Sequence, residues 1–415
     1  MTQQGSTAPS SGGGPLVWLG IIALVYVLLV GVGVIGDGFK WISGGAEGAE
    51  RIFAFASNPI VGVILGTLAT ALVQSSSTVT SVIVGLVAGG VPVAIAVPMI
   101  MGANMGTTIT NTIVSLGNIR DGQMFNKSFQ AATVHDFFNL YSILIFLPIE
   151  MLFHPLERMA GAMSQWFVGG GGASMKDFNF VGALTKPVGS QIVGLFKGLP
   201  DMIGAVLTIV VGIALIIFSV LFLGKLLQRV MTGKAKAMVD KSIGRGPISG
   251  VATGTAITVL VQSSSTTTSL VVPLAGAGAL TTRQVFPFTM GANIGTTITA
   301  LLAATSITGA YQVFALQIAL VHLLYNVFGV LLFMLVPWLK DTPIWSAEWL
   351  GNKTESNRIW AFGYILGVFF MLPGAVFGGQ AALGAASEAI EKAEADAAKI
   401  DDVEQRVQQR DMAIE

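Results

Sequence analysis

The chain has 415 residues, 53% of them hydrophobic and 11% charged, with 22 Lys and Arg balancing 22 Asp and Glu, and its mean hydropathy is +0.74. Soluble domains carry about 25% charged residues, so this composition excludes an ordinary soluble domain, and a net charge of zero argues against a nucleic-acid binder. With no cysteine, disulfides and thiolate metal or redox sites are excluded as well.

Residues 1–15 are uncharged and rich in Gly, Ser, Thr and Pro. They lack the basic flank of a signal peptide and read as a disordered tail. Residues 16–34 are apolar over a length that spans a bilayer, and 37–58 form a short polar stretch. From Ile52 to Ile119 there is no Asp, Glu, Lys, Arg or His. Within that run, residues 59–90 are too long for one crossing and are interrupted by Gln74-Ser75-Ser76-Ser77-Thr78, which predicts a re-entrant hairpin or a broken helix. Residues 92–117 carry Gly102-Ala103-Asn104-Met105-Gly106-Thr107, a second expected break. Residues 129–153 read as a helix bearing His135, Asp136 and Asn139, and 154–198 as a Gly-rich loop linking two halves.

The order then recurs. A crossing ends near Leu223, a hairpin is expected at 247–278, a broken helix at 286–305 and a helix at 312–337. The likeness is literal: Gln262-Ser263-Ser264-Ser265-Thr266 repeats the first polar phrase at an offset of 188, and Met290-Gly291-Ala292-Asn293-Ile294-Gly295-Thr296-Thr297 repeats residues 101–108 at 189. His322 and Asn326 echo His135 and Asn139 at 187. Three phrases in one order make an internal duplication, with repeat 1 at 16–153, the linker at 154–198 and repeat 2 at 199–338. An interfacial segment and a last crossing occupy 339–377, with Trp338, Trp345, Trp349 and Trp360 around it as membrane-interface residues. Residues 378–415 read as a charged helical tail.

Charge orients the halves. After the first crossing, Lys40 and Arg51 are outnumbered by Asp37, Glu47 and Glu50; after its counterpart come Lys225, Arg229, Lys234, Lys236, Lys241 and Arg245 against Asp240. Lys and Arg favour the cytoplasmic side, so equivalent loops lie on opposite sides and the repeats are inverted. The linker then lies outside. The fold class is an all-α integral membrane protein of two inverted-topology repeats, each with a re-entrant hairpin and a broken helix, as in secondary transporters. Non-helical backbone inside a membrane is tolerated where it is buried or lines a cavity, so the two Gln-Ser-Ser-Ser-Thr tips and the two Gly-Ala-Asn-X-Gly-Thr-Thr breaks should surround one site.

That site offers hydroxyls, carboxamides and backbone groups, and neither hairpin contains Arg or Lys. Helix N-termini attract anions, whereas hydroxyl, carboxamide and carbonyl oxygens suit Na+. An anion held there without a cation would carry a prohibitive uncompensated charge. Bound Na+ supplies that countercharge, which couples the two ligands.

The paired phrases, with Ala132-Thr133-Val134-His135-Asp136-Phe137-Phe138-Asn139 and Gln317-Ile318-Ala319-Leu320-Val321-His322, resemble the type II sodium-dependent phosphate cotransporters. The resemblance implies a prokaryotic Na+/phosphate symporter of the cell membrane with an elevator-type mechanism, about three Na+ per phosphate, membrane lipid around it, no organic cofactor, and compatibility with a homodimer. It assigns phosphate to Gln74, Ser75, Ser76, Thr107, Gln262, Ser263 and Ser264. It assigns sodium to Gln262, Ser263, Asn293, Thr296 and Thr299, with a further ion at Thr112, Asn118, Asp121 and Asn139. Two departures stand out: Ala103 and Ala292 occupy positions where the family often has Ser, and Ile119-Arg120-Asp121 replaces Ala-Gly-Asp.

Plainer readings compete. Ser and Thr in membrane helices often bond their own i−4 carbonyl, and Gly62, Gly66, Gly250 and Gly254 read as close-packing residues. His135 and His322 read as bridges between helices. Asp136 is an intramembrane acid and a functional candidate for that reason. An intramembrane hydrolase needs a base aligned with its nucleophile; the chain has His135, His154 and His322 but no hydrolase phrase around them, so an enzyme is not expected. A symporter for another oxyanion (sulfate or a carboxylate) and a passive anion channel remain as alternatives.

Overall fold

The computed structural model describes residues 14–169, 179–231, 237–239 and 245–380, with single positions as far as 390. In chain order, α1 (Pro15–Ser43) leads through α2 (Ala46–Ile52) to α3 (Pro59–Val73) and α4 (Ser76–Ala88). Next come α5 (Val93–Thr107), α6 (Ile109–Ser115), α7 (Gly122–Phe153), α8 (Pro155–Gly169), α9 (Asn179–Gly194) and α10 (Asp201–Met231). The second half has α11 (Pro247–Val261), α12 (Ser264–Ser269), α13 (Val271–Gly276), α14 (Thr282–Thr305), α15 (Gln312–Leu335), α16 (Pro337–Ser356) and α17 (Ile359–Leu366), the last prolonged through a π-turn at Gly367–Met371. Seven of the described helical stretches are long and apolar enough to cross a membrane. The protein is an all-helical integral membrane protein.

The direction of each hairpin follows from its glycines. Gly62 lies against Pro98, and a Cβ on Gly66 would overlap the Met99 carbonyl, while one on Gly106 would meet Thr67 and Thr70. Contacts that advance together along both helices make α3 and α5 parallel neighbours, with backbones closer than any side chain allows. The chain must therefore travel back between them. That return is α4, whose 13 residues cover about 20 Å, less than the hydrocarbon core of a bilayer. The second half is built alike: Gly250 lies against Pro287, Gly254 against Phe288, and Gly295 against Thr258. Each phrase of polar residues is consequently the tip of a helical hairpin.

The equivalent helices α1 and α10 pack side by side and antiparallel, Gly20 meeting Leu226, Gly31 meeting Ile216 and Gly38 meeting Thr208. Ser219 Oγ donates to the Leu24 carbonyl between them. The two halves interlock: α4 packs on α14 and α15, α12 on α6, and α13 on α7. A continuous core of Val32, Ile35, Val84, Ile100, Ala303 and Ile318 joins them. Apolar side chains such as Met202, Ile203, Val210 and Phe218 point outward from α10.

Several sequence expectations are corrected. The first crossing runs on to Ser43 rather than ending near residue 34, stopping where Gly44 turns left-handed at φ 68°. The linker, expected as a loop, carries α8 and α9; its Gly-rich centre lies outside the described residues, as do Lys234, Lys236, Lys241, residues 1–13 and residues 391–415. Of the two expected helix breaks, the one in Gly102–Thr107 falls at the end of that phrase, at Thr107–Thr108 between α5 and α6. The second is absent, since α14 runs unbroken from Thr282 to Thr305. Gly291 and Gly295 serve close approach to α11, and Thr296 Oγ1 bonds its own i−4 carbonyl, so neither glycine nor hydroxyl interrupts the helix.

Candidate functional site

The two hairpin tips are the same structure built twice. Gln74 and Gln262 sit in the left-handed region at φ 60° and 55°, and each N–H closes the preceding helix on Thr70 O or Thr258 O at 2.7 Å. A side chain there costs about 1–2 kcal/mol relative to the right-handed region, a position glycine normally takes. The carboxamide explains the choice of Gln. Its Nε2 donates to Ala71 O at 2.9 Å in one tip and to Val259 O at 2.7 Å in the other. Its Oε1 accepts from Thr110 Oγ1 at 2.9 Å or Thr299 Oγ1 at 2.8 Å. Ser75 and Ser263 follow in extended geometry and cap the next helix, each Oγ accepting from Thr78 N or Thr266 N at 3.2 Å, the ordinary N-cap arrangement. Beneath the tips, the equivalent hydroxyls of Thr70 and Thr258 are buried and make no hydrogen bond among the described residues.

Both tips open on one cavity of about 420 Å³, lined by Gln74, Ser75, Thr110, Gln262, Ser263, Ser265, Thr266 and Ser269 on one wall and by α10 on the other. Four of the seven residues assigned to phosphate, Gln74, Ser75, Gln262 and Ser263, therefore face one another across a common space. The other three do not line it: Ser76 and Ser264 are buried in their helices, and Thr107 Oγ1 bonds Ala103 O at 3.0 Å. Thr110 was missed, although the sequence carried a signal for it, since it stands 189 residues before Thr299. Asn111 was also missed; its Oδ1 accepts from Thr268 Oγ1 at 2.9 Å and ties α6 to the second hairpin.

Behind the tips, the halves exchange side chains in a crossed pattern. His135 Nε2 lies 2.7 Å from Asn293 Oδ1, and His322 Nε2 lies 3.1 Å from Asn104 Oδ1. Asn293 Nδ2 donates to Asn139 Oδ1, and Asn104 Nδ2 to Asn326 Oδ1, both at 2.8 Å. Each Asn of a Gly-Ala-Asn phrase thus binds the His and Asn of the opposite half, the reciprocal pairing of a two-fold relation. The histidines bridge helices through these contacts.

The positions assigned to sodium divide. Gln262 and Thr299 are bonded to each other, Asn293 and Asn139 are bonded to each other, and Thr296 bonds its own helix. Thr112 and Asn139 are buried, but Asp121 is not near them. It is the exposed N-cap of α7, its Oδ1 accepting from Met124 N at 3.0 Å, and Asn118 accepts from Asp121 N in the same turn. The carboxylate that meets Thr112 is Asp136: Thr112 Oγ1 and Tyr364 Oη both donate to its Oδ2 at 3.0 Å. Asp136 is fully buried and its Oδ1 makes no hydrogen bond among the described residues. Tyr364 comes from the last crossing, which has no counterpart in the duplication, so no pattern in the sequence pointed to it.

Seven candidate crossings, two related halves and a polar cavity shared by both hairpin tips define an integral membrane protein with one polar site built from both of its halves. The family described as Na+/Pi-cotransporter matches residues 27–169 and 215–342, and the chain belongs to it. It is 30% identical over 448 residues to sodium-dependent phosphate transport protein 2B of Homo sapiens and to that of Pongo abelii, covering 86% of this chain and 64% of each relative. With sodium-dependent phosphate transport protein 2A of Ovis aries it shares 31% identity over 431 residues, covering 86% of this chain and 67% of the relative. The chain thus spans about two thirds of the length of these curated relatives. No solved structure matches it.

Proposed function

We propose that this chain is a sodium-coupled symporter that brings inorganic phosphate, as the divalent anion, across the plasma membrane of its cell. The observation that carries this reading is the meeting of two identically built tips, Gln74-Ser75 and Gln262-Ser263, in one cavity. Their hydroxyls and carboxamides can donate to phosphate oxygens and present oxygen to Na+, while the hairpins bring no charge of their own. Phosphate rests between the tips, and Na+ beside Gln262 and Thr299. A second cation position lies among Thr112, Asn139 and Asp136, where a buried carboxylate oxygen has no hydrogen-bond partner among the described residues. Three Na+ per divalent phosphate move one net charge, worth about 2.3 kcal/mol per 100 mV.

The antiparallel packing of the equivalent helices α1 and α10, with the crossed His–Asn pairs, supports two repeats of inverted topology. In this account α1 and α10 form a scaffold, and the hairpins with α5, α6 and α14 form a core that slides against it. The tip cavity reaches the C-terminal end of α10, the end followed by Lys and Arg, so it faces the cytoplasm. The outward-pointing apolar side chains of α10 meet lipid.

Radiolabelled phosphate uptake into proteoliposomes tests the reading: uptake requires an inward Na+ gradient, which K+ cannot replace. Replacing Gln262 or Ser263 with Ala abolishes it while the protein remains folded; wild-type rates in both variants would remove the tips from the site.

A further inference from the structure

Neutral groups make up the tip side of the cavity, yet its opposite wall is not neutral. That wall is the C-terminal part of α10, through Val220, Leu221, Gly224, Lys225 and Gln228. Around Gly224 there is open space, since a Cβ there would touch nothing. Lys225 is the one charged side chain among the described residues lining the cavity. Its Nζ lies over the Phe222 ring, 5.1 Å from the centroid, and forms no ion pair among the described residues.

The duplication sharpens the point. The position equivalent to Lys225 at the offset of 188 is Asp37. Asp37 lines a separate cavity of about 170 Å³ with Lys40 and Lys186, at the opposite end of the α1–α10 pair. The lysine is therefore not a packing feature shared by both halves; it belongs to the cavity that holds the tips.

We propose that Lys225 is a specificity-determining contact of the transported anion, supplying from the scaffold helix the positive charge that the hairpins lack. The proposal rests on the phosphate reading above. A divalent anion between neutral dipoles gains from any nearby cation, and the gain grows as water is excluded. Because Lys225 belongs to α10 rather than to the hairpins, it meets the anion when the tips lie against this end of α10.

The absence of cysteine allows a charge-rescue experiment. Lys225→Cys is reconstituted and Na+-dependent phosphate uptake is measured before and after aminoethyl methanethiosulfonate, which restores an ammonium, or sulfonatoethyl methanethiosulfonate, which adds an anion. The variant raises half-saturating phosphate about fivefold, the scale of an accessible ion pair. The aminoethyl reagent returns it to within about twofold of wild type, and the sulfonate reagent raises it further. An unchanged half-saturation in Lys225→Cys, or equal effects of the two reagents, overturns the role of Lys225 with phosphate transport intact. A wild type that shows no Na+-dependent phosphate uptake overturns the phosphate reading and this proposal with it.

Discussion

Asn293 holds its amide oxygen 2.7 Å from Nε2 of His135, a residue 158 positions earlier, and the repeat-equivalent pair Asn104 and His322 makes the same contact at 3.1 Å. An amide oxygen at that distance fixes the ring proton on Nε2. All four groups are buried, so neither half satisfies its own polar side chains without the other. The halves consequently fold as one body around the site.

A double-mutant cycle of Asn293→Ala with His135→Ala should therefore show a coupling energy of about 0.6–1.7 kcal/mol, the range of side-chain hydrogen bonds in membranes. Asn293→Ala combined with Thr208→Ala, whose hydroxyl bonds the Gly204 carbonyl of its own helix α10, should be additive within about 0.5 kcal/mol. Equilibrium unfolding in mixed detergent measures both. Equal coupling in the two cycles would show that the crossed network is not what joins the repeats.

The left-handed glutamine separates folding from function. Gln262→Gly removes about 1–2 kcal/mol of backbone strain while deleting the carboxamide that holds Thr299. Thermal unfolding should be unchanged or higher, and phosphate uptake should fall to background. Retained uptake would mean that only the turn, and not the side chain, is needed.

Glycine packing gives a graded test. Gly66→Val should prevent accumulation of folded protein, because its Cβ overlaps the Met99 carbonyl, while Gly33→Ala, whose Cβ meets nothing within 4 Å, should be neutral. Size-exclusion chromatography of the two variants from membranes decides it. Overpacking in a core usually costs about 1–3 kcal/mol, and here the obstacle is backbone that cannot move aside.

The hairpins and their tips were legible because the duplication is nearly literal there and because a run of hydroxyls among apolar residues has few structural uses. Equivalence by offset also carried Gln74, Ser75, Gln262 and Ser263 into one cavity. What the sequence hid is set by tertiary contact. The Gly-Ala-Asn phrase looks like a helix break, yet in α14 its glycines only let α11 approach and its Asn looks outward to His135. Asp121, which the family resemblance assigned to sodium, caps α7, whereas Asp136 acquires its meaning from Thr112 and from Tyr364, which lies 228 residues away in the chain.

Those two acids should behave differently. Asp136→Asn should reduce the number of Na+ coupled to each phosphate and the charge moved per cycle, while keeping acceptors for Thr112 and Tyr364. Asp121→Asn preserves an N-cap residue type and should leave both quantities unchanged, and Asp121→Ala should cost about 1 kcal/mol of stability. Simultaneous current and tracer flux in supported membranes gives the charge-to-phosphate ratio. A ratio altered by Asp121→Asn but not by Asp136→Asn would move the ion to the α7 N-terminus.

The most direct measurement is tracer phosphate uptake into proteoliposomes with the Na+ gradient and the membrane voltage set independently. Coupled symport through the shared tip cavity predicts uptake that requires inward Na+ and rises when the interior is made negative. Phosphate entry that proceeds equally with K+, and simply follows the anion's own electrochemical gradient, would contradict it.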